Sequence, residues 1–186
     1  DGGLQQRMDR AGKNMERKAA EAVKEYKKYK KQTGHDPHVG DLLLRYLHIC
    51  ALRGLAPDAD RTYLIRLLEE SAVSYMYAKA EAAVVLATAG KRKASEQTLK
   101  SLMEHTVSTP EMGRYFDTDR SRWAWHSYKV PTQVAALDAI CQLTPGDTLT
   151  IQEMTRWLLQ AKRTQTWDNP RGSVDAVYYL FLRQNM

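Results

Sequence analysis

Arg122-Trp123-Ala124-Trp125-His126, joined later by Trp167, is the set of side chains in this 186-residue chain best suited to chemistry with a ligand. Indole rings offer broad apolar faces and one N–H donor, so they stack on and cover a ligand rather than break its bonds. Loops that display aromatic residues in this way often bind something. The same rings also serve a structural purpose when they cap the ends of helices beneath them, and that reading is kept beside the first. Bond-breaking chemistry finds little support. Nucleophilic catalysis needs a Ser or Cys within reach of a His that a carboxylate orients. His35, His38, His48, His105 and His126 are scattered along the chain, and there is no Gly-x-Ser-x-Gly turn. A zinc site needs three or four ligands at recognisable spacing, and neither Cys-x-x-Cys nor His-Glu-x-x-His occurs. His35-Asp36-Pro37-His38 is the composition of a solvated turn. Glycine-rich phosphate loops are missing, so neither a metal nor another cofactor is expected.

Carboxylate pairs are the remaining catalytic option. Hydrolysis of a glycan needs two of them flanking a sugar-sized cleft. Asp138 and Asp175 project from related apolar segments but occupy different places in them, while Asp58-Ala59-Asp60 and Asp117-Thr118-Asp119 have the spacing of helix caps and turns. The chain is therefore expected not to be an enzyme. A toroid enzyme acting on a glycan or isoprenoid at Trp123, Trp125, His126 and Trp167 stands as the alternative, and a helical-repeat scaffold for protein partners as a third possibility.

The elements that would position these residues are helices. Pro131-Thr132-Gln133-Val134-Ala135-Ala136-Leu137-Asp138-Ala139-Ile140 lines up with Arg171-Gly172-Ser173-Val174-Asp175-Ala176-Val177-Tyr178-Tyr179-Leu180, a fixed offset of the kind that marks stacked helical hairpins. Between them Ile151, Met154, Trp157, Leu158 and Ala161 form one apolar stripe at helical spacing. Residues 39 to 53 and 75 to 89 are apolar on nearly every side and must be central, because a helix facing water would not tolerate this. The helix whose stripe is Leu64, Leu67, Leu68 and Ala72, capped by Asp58 or Asp60, is one-sided, as is that of residues 94 to 106. A long helix over residues 4 to 31 carries the narrow stripe Met8, Ala11, Met15, Ala19, Ala22, Tyr26 and Tyr29 and belongs on a surface. Its end interleaves lysines with Tyr26 and Tyr29, but both rings fall on the stripe, and lysines in a last turn complement the helix dipole. No nucleic-acid partner is expected.

The alternation of central and outer helices predicts an all-α fold over residues 1 to 186, a single domain in the form of a partial α/α toroid. One β-hairpin-like insertion is expected near 112–128, with Arg114-Tyr115-Phe116 and Arg122 to His126 as strands around the polar turn Asp117 to Ser121. A chain of this length, 43% hydrophobic, can bury one sizeable core. Its formal net charge of +6 favours weak contact with anionic surfaces without specifying a partner. No apolar run approaches the roughly 20 residues of a membrane-spanning helix, and no signal peptide is visible in these residues. Cys50 and Cys141 are isolated on apolar segments and are expected to be buried free thiols.

Trp157-Leu158-Leu159-Gln160-Ala161-Lys162-Arg163-Thr164-Gln165-Thr166-Trp167, followed by Ser173-Val174-Asp175-Ala176-Val177-Tyr178, resembles the α2-macroglobulin family, where an outer helix leads through an aromatic-containing turn into the next inner helix. Pro110-Glu111-Met112-Gly113-Arg114-Tyr115, and Trp125-His126-Ser127-Tyr128 ahead of Pro131-Thr132-Gln133, are similar to the hairpin segment of its bacterial branch. The resemblance extends over residues 75 to 183 and implies a segment of the complement-like thioester domain, an α/α toroid within a large protease-trapping protein. Family members present a bait whose cleavage triggers a collapse around the protease, and in many an internal thioester then acylates it. That bond needs Cys-x-x-Gln, which is absent: Cys50 precedes Ala51-Leu52-Arg53, and Cys141 precedes Gln142-Leu143-Thr144. The resemblance implies an exported protein of the cell envelope whose partners are proteases and the other domains of its own chain.

Overall fold

The computed structural model describes residues 2–117, 129–164 and 170–180. The order is α1 (Gly2–Thr33), α2 (Asp41–Leu52), α3 (Ala59–Glu70), α4 (Met76–Thr88), α5 (Arg92–Met103), β1 (Thr106–Thr109), β2 (Gly113–Phe116), α6 (Lys129–Leu143), α7 (Thr148–Thr164) and α8 (Pro170–Tyr178). The described chain is mostly helical, with one two-stranded sheet.

Alternate helices pack on one another. α2 lies against α4, α4 against α6 and α6 against α8, while α3, α5 and α7 flank this row. The reason is in the side chains of α4 and α6. Residues Ala80 to Leu86 of α4 are all buried, and so are Val130 to Val134, Ala136, Leu137, Ala139 and Ile140 of α6. Alanine dominates α4, so its neighbours approach closely from several directions without leaving voids. Two apolar clusters meet along it. Ala80 and Val84 join a cluster with Leu102, Phe116, Leu137, Met154 and Leu158. Ala78, Ala82, Val85 and Leu86 join another with Val23, Leu44, Leu47 and Leu64.

Local signals end and begin these helices as elementary stereochemistry requires. Asp58 stands before α3 and accepts from the Arg61 N–H at 2.8 Å, which satisfies a free helix donor. That bond, backed by the Arg61 side chain, holds the Asp58 carboxyl below its ordinary range. Gly90 takes φ 76°, and the amides of Gly90 and Lys91 return to the carbonyls of Ala87 and Leu86, closing α4. α1 is seated from Met15 onward, with Ala19 and Val23 buried, whereas Leu4 and Met8 are exposed.

The hairpin among the described residues begins earlier than the one expected near 112–128. Arg114-Tyr115-Phe116 does form a strand, and it pairs backwards with Thr106–Thr109. The register runs from Thr106 opposite Phe116 to Thr109 opposite Gly113, which places the turn at Pro110-Glu111-Met112. Pro110 presets one turn dihedral, Thr109 Oγ1 accepts from the Met112 N–H at 3.1 Å, and Gly113 supplies φ 79°. The helix expected to reach residue 106 consequently stops at Met103, with Thr106 already in β1. The expected second strand, Arg122 to His126, lies outside the described residues.

Candidate functional site: a cleft on the row of alternate helices

α2, α4, α6 and α8 share a cleft of about 120 Å³. His48 comes from α2, Tyr77 and Glu81 from α4, Asp138 from α6, and Tyr178 from α8, over an apolar lining that includes Val84 and Val134. Glu81 is the unusual member, a carboxylate 5% exposed in the middle of an alanine-rich helix. Burial of an ionised carboxylate is costly unless charge and hydrogen bonds compensate it. Here α2 provides two cationic contacts. Arg45 Nε lies 3.4 Å and His48 Nδ1 3.5 Å from Glu81 Oε1, and the Arg45 guanidinium also sits 5.0 Å from the centre of the Tyr77 ring. Positions 45 and 48 are one turn apart on α2, so both face the same point of α4.

The surroundings of the cleft are also polar and partly buried. Asp138 Oδ2 accepts from Gln142 Nε2 at 2.8 Å along α6. The Tyr179 hydroxyl lies 3.3 Å from Cys141 Sγ, and burial, followed by the neighbouring thiol, pushes its pKa up. Burial, with Asp41 next, does the same to Tyr75 at the start of α4. These hydroxyls therefore stay protonated as hydrogen-bond donors. Among the described residues the arrangement supplies a charged acceptor, an imidazole and two aromatic walls, but no activated nucleophile. Nor, among them, is any group of three or more His, Cys, Asp or Glu side chains placed to hold a metal ion.

A second polar junction fixes the hairpin to the row. Gln133 of α6 is fully buried, and its Nε2 donates to the carbonyls of Arg114 in β2 at 2.9 Å and Met154 in α7 at 3.0 Å. One side chain thus ties three elements together. Arg114 Nε reaches Glu153 Oε2 at 3.0 Å, and Tyr115 stacks on Trp157 with ring centres 5.9 Å apart and planes 15° apart. The junction thus joins β2 to both α6 and α7.

Trp123, Trp125, His126 and Trp167, the residues expected to form a ring-mouth site, all lie outside the described residues, and so does the side chain of Asp175. Asp138 does line the cleft, which it shares with Glu81. The lysine-rich end of α1 is tied into the body. Tyr26 Oη accepts from the Gly40 N–H at 3.2 Å, Lys27 pairs with Asp60 at 3.5 Å, and Lys30 with Asp36 at 2.7 Å. Asp36, from the His-Asp-Pro-His linker, also contacts Arg66 at 3.3 Å, so that linker fastens α1 to α3. Cys50 and Cys141 are free thiols.

Sequence reasoning passed over Glu81, His48 and Gln133. The signal for Glu81 was present, since an acid between Ala80 and Ala82 in an otherwise apolar helix has no water-facing side to occupy. No family model, no curated protein and no solved structure matches the chain.

Proposed function

We propose that this chain is a helical segment of the α/α toroid of a bacterial α2-macroglobulin-like protease inhibitor, a non-enzymatic unit of a protease trap. The observation that carries the reading is the alternate-helix row with a hairpin seated on α7 through Tyr115 and Trp157, within the segments that resemble this family. In such a trap the segment acts as a rigid body. Its work is to hold shape and present surfaces while other parts of the chain offer the bait and collapse. A core locked by Gln133 and by the close-packed α4 suits that work, because close-packed interiors transmit displacement instead of absorbing it. Proteases and the remaining domains of the same chain are the partners under this reading, and export to the cell envelope is the location. Among the described residues no helix is long and apolar enough to cross a membrane.

The cleft is small beside the sites of most organic ligands. Sites for small organic ligands generally enclose about 300–1,000 Å³, and this one offers about 120 Å³. The scaffold alternative draws on a specific observation: Leu42, Ile49 and Leu52 on α2 and Val174, Val177 and Tyr178 on α8 are exposed apolar side chains at the two ends of the row.

The coding frame on both sides of this segment tests the proposal. We expect a much longer protein with an export signal upstream and β-rich stretches around the helical part. A frame confined to this helical segment would overturn the trap reading and move the scaffold ahead of it.

A further inference from the structure

We infer that the cleft between α2, α4, α6 and α8 is a binding site for an alkylammonium group, the chemistry shared by a lysine side chain and a free primary amine. The inference stands on the cleft alone and goes beyond the trap reading. Its first support is the loose compensation of Glu81. The side chain is 6% exposed, and its cationic contacts with Arg45 and His48 both fall on Oε1, at 3.4 and 3.5 Å. A charge-assisted N–H···O bond closes to about 2.7–2.9 Å, so neither contact is one of that strength. A buried carboxylate held this loosely remains a strong acceptor for a charged donor, and an ammonium brings three N–H groups to one point.

The walls suit the rest of such a ligand. Tyr178 lines the cleft, and a ring face attracts a cation within about 6 Å. Asp138 adds a second carboxylate from the neighbouring helix. Val84, Pro131, Val134 and Ala135 form an apolar lining against which a short methylene stem packs, as lysine stems do on apolar surfaces. The volume of about 120 Å³ matches a ligand of this size. A guanidinium fits less well, because its planar fork calls for a bidentate carboxylate and Glu81 Oε1 already faces Arg45 and His48.

The test is a titration of the isotopically labelled chain, followed by amide and methyl NMR shifts, with n-butylamine and with n-butanol as its neutral isostere. We expect a saturable shift centred on Glu81, Val84 and Val134 with the amine and none with the alcohol. The Glu81→Gln variant should weaken amine binding about tenfold or more, since a charged hydrogen bond is replaced by a neutral one, and Asp138→Asn serves if Glu81→Gln does not fold. A parallel titration with a short peptide containing one lysine separates the sources. Binding of peptide and amine alike identifies a lysine side chain as an admissible occupant, whereas binding of the amine alone restricts the site to free amines. Equal response to amine and alcohol, or no saturable response to the amine, overturns the inference, and this comparison needs no variant.

Discussion

Gly113→Ala should destabilise the fold by about 3 kcal/mol or more, a larger loss than most single substitutions cause. Two independent costs meet at this position. Gly113 has φ 79°, in the left-handed region where a Cβ is strained. The added Cβ would also be driven into the backbone carbonyl of Glu153 in α7, an obstacle that cannot rotate aside as a side chain would. Relief requires the hairpin to lift from α7. That movement would pull Phe116, 1% exposed, and the Tyr115–Trp157 stack out of place. For a domain of this size each kcal/mol corresponds to roughly 2–4 °C, so Tm should fall by about 6–12 °C in a thermal melt followed by far-ultraviolet circular dichroism. An alanine variant melting with the parent protein would mean that β2 does not lie on α7 as described.

Gln133→Leu is expected to cost about 2–3 kcal/mol, although leucine is nearly the same size and more apolar. The amide Nε2 serves two buried carbonyls on different elements, Arg114 O and Met154 O, and leucine leaves both without that donor. The cost is moderated by one feature. Gln133 Oε1 has no hydrogen-bond partner among the described residues, so leucine also removes a buried acceptor that was already unsatisfied. Chemical denaturation gives the size of the loss, and hydrogen exchange at β1 and β2 gives its place. The hairpin amides should lose protection before those of α2 and α3, which draw on the other apolar cluster. Parent-like stability with a protected hairpin would remove Gln133 from its joining role.

How far the sequence disclosed this architecture depends on whether each signal is local. The central character of α4 and α6 was legible because an apolar residue on every side of a helix has one explanation, burial all round. The Asp58 cap was legible for the same reason, since donor and acceptor lie three residues apart. The hairpin was only half legible. β1 spans four residues whose exposure does not alternate, with Val107 and Ser108 both outward, so the period-two pattern that marks a strand is missing. Asp117-Thr118-Asp119 offered a more conspicuous turn composition than Pro110-Glu111-Met112, and the turn that joins β1 to β2 went unread. The cleft was not legible at all as a site. Glu81 meets Arg45 and His48 across more than thirty positions of sequence, and Gln133 meets Arg114 and Met154 across about twenty. Such pairings follow from packing of the alternate helices on one another, which helical periodicity along one segment does not report. The aromatic residues that sequence reasoning placed at a ring mouth fall in the segments outside the described residues.

The proposed role depends on enclosure, and enclosure has a direct signature. The full-length protein that carries this segment should be incubated with a broad-specificity protease, and hydrolysis followed with a large protein substrate and with a small peptide substrate in parallel. A protease held inside a collapsed trap keeps a working active site that large substrates cannot reach, so the first activity should fall while the second persists. Parallel loss of both, or retention of both, would contradict the trap.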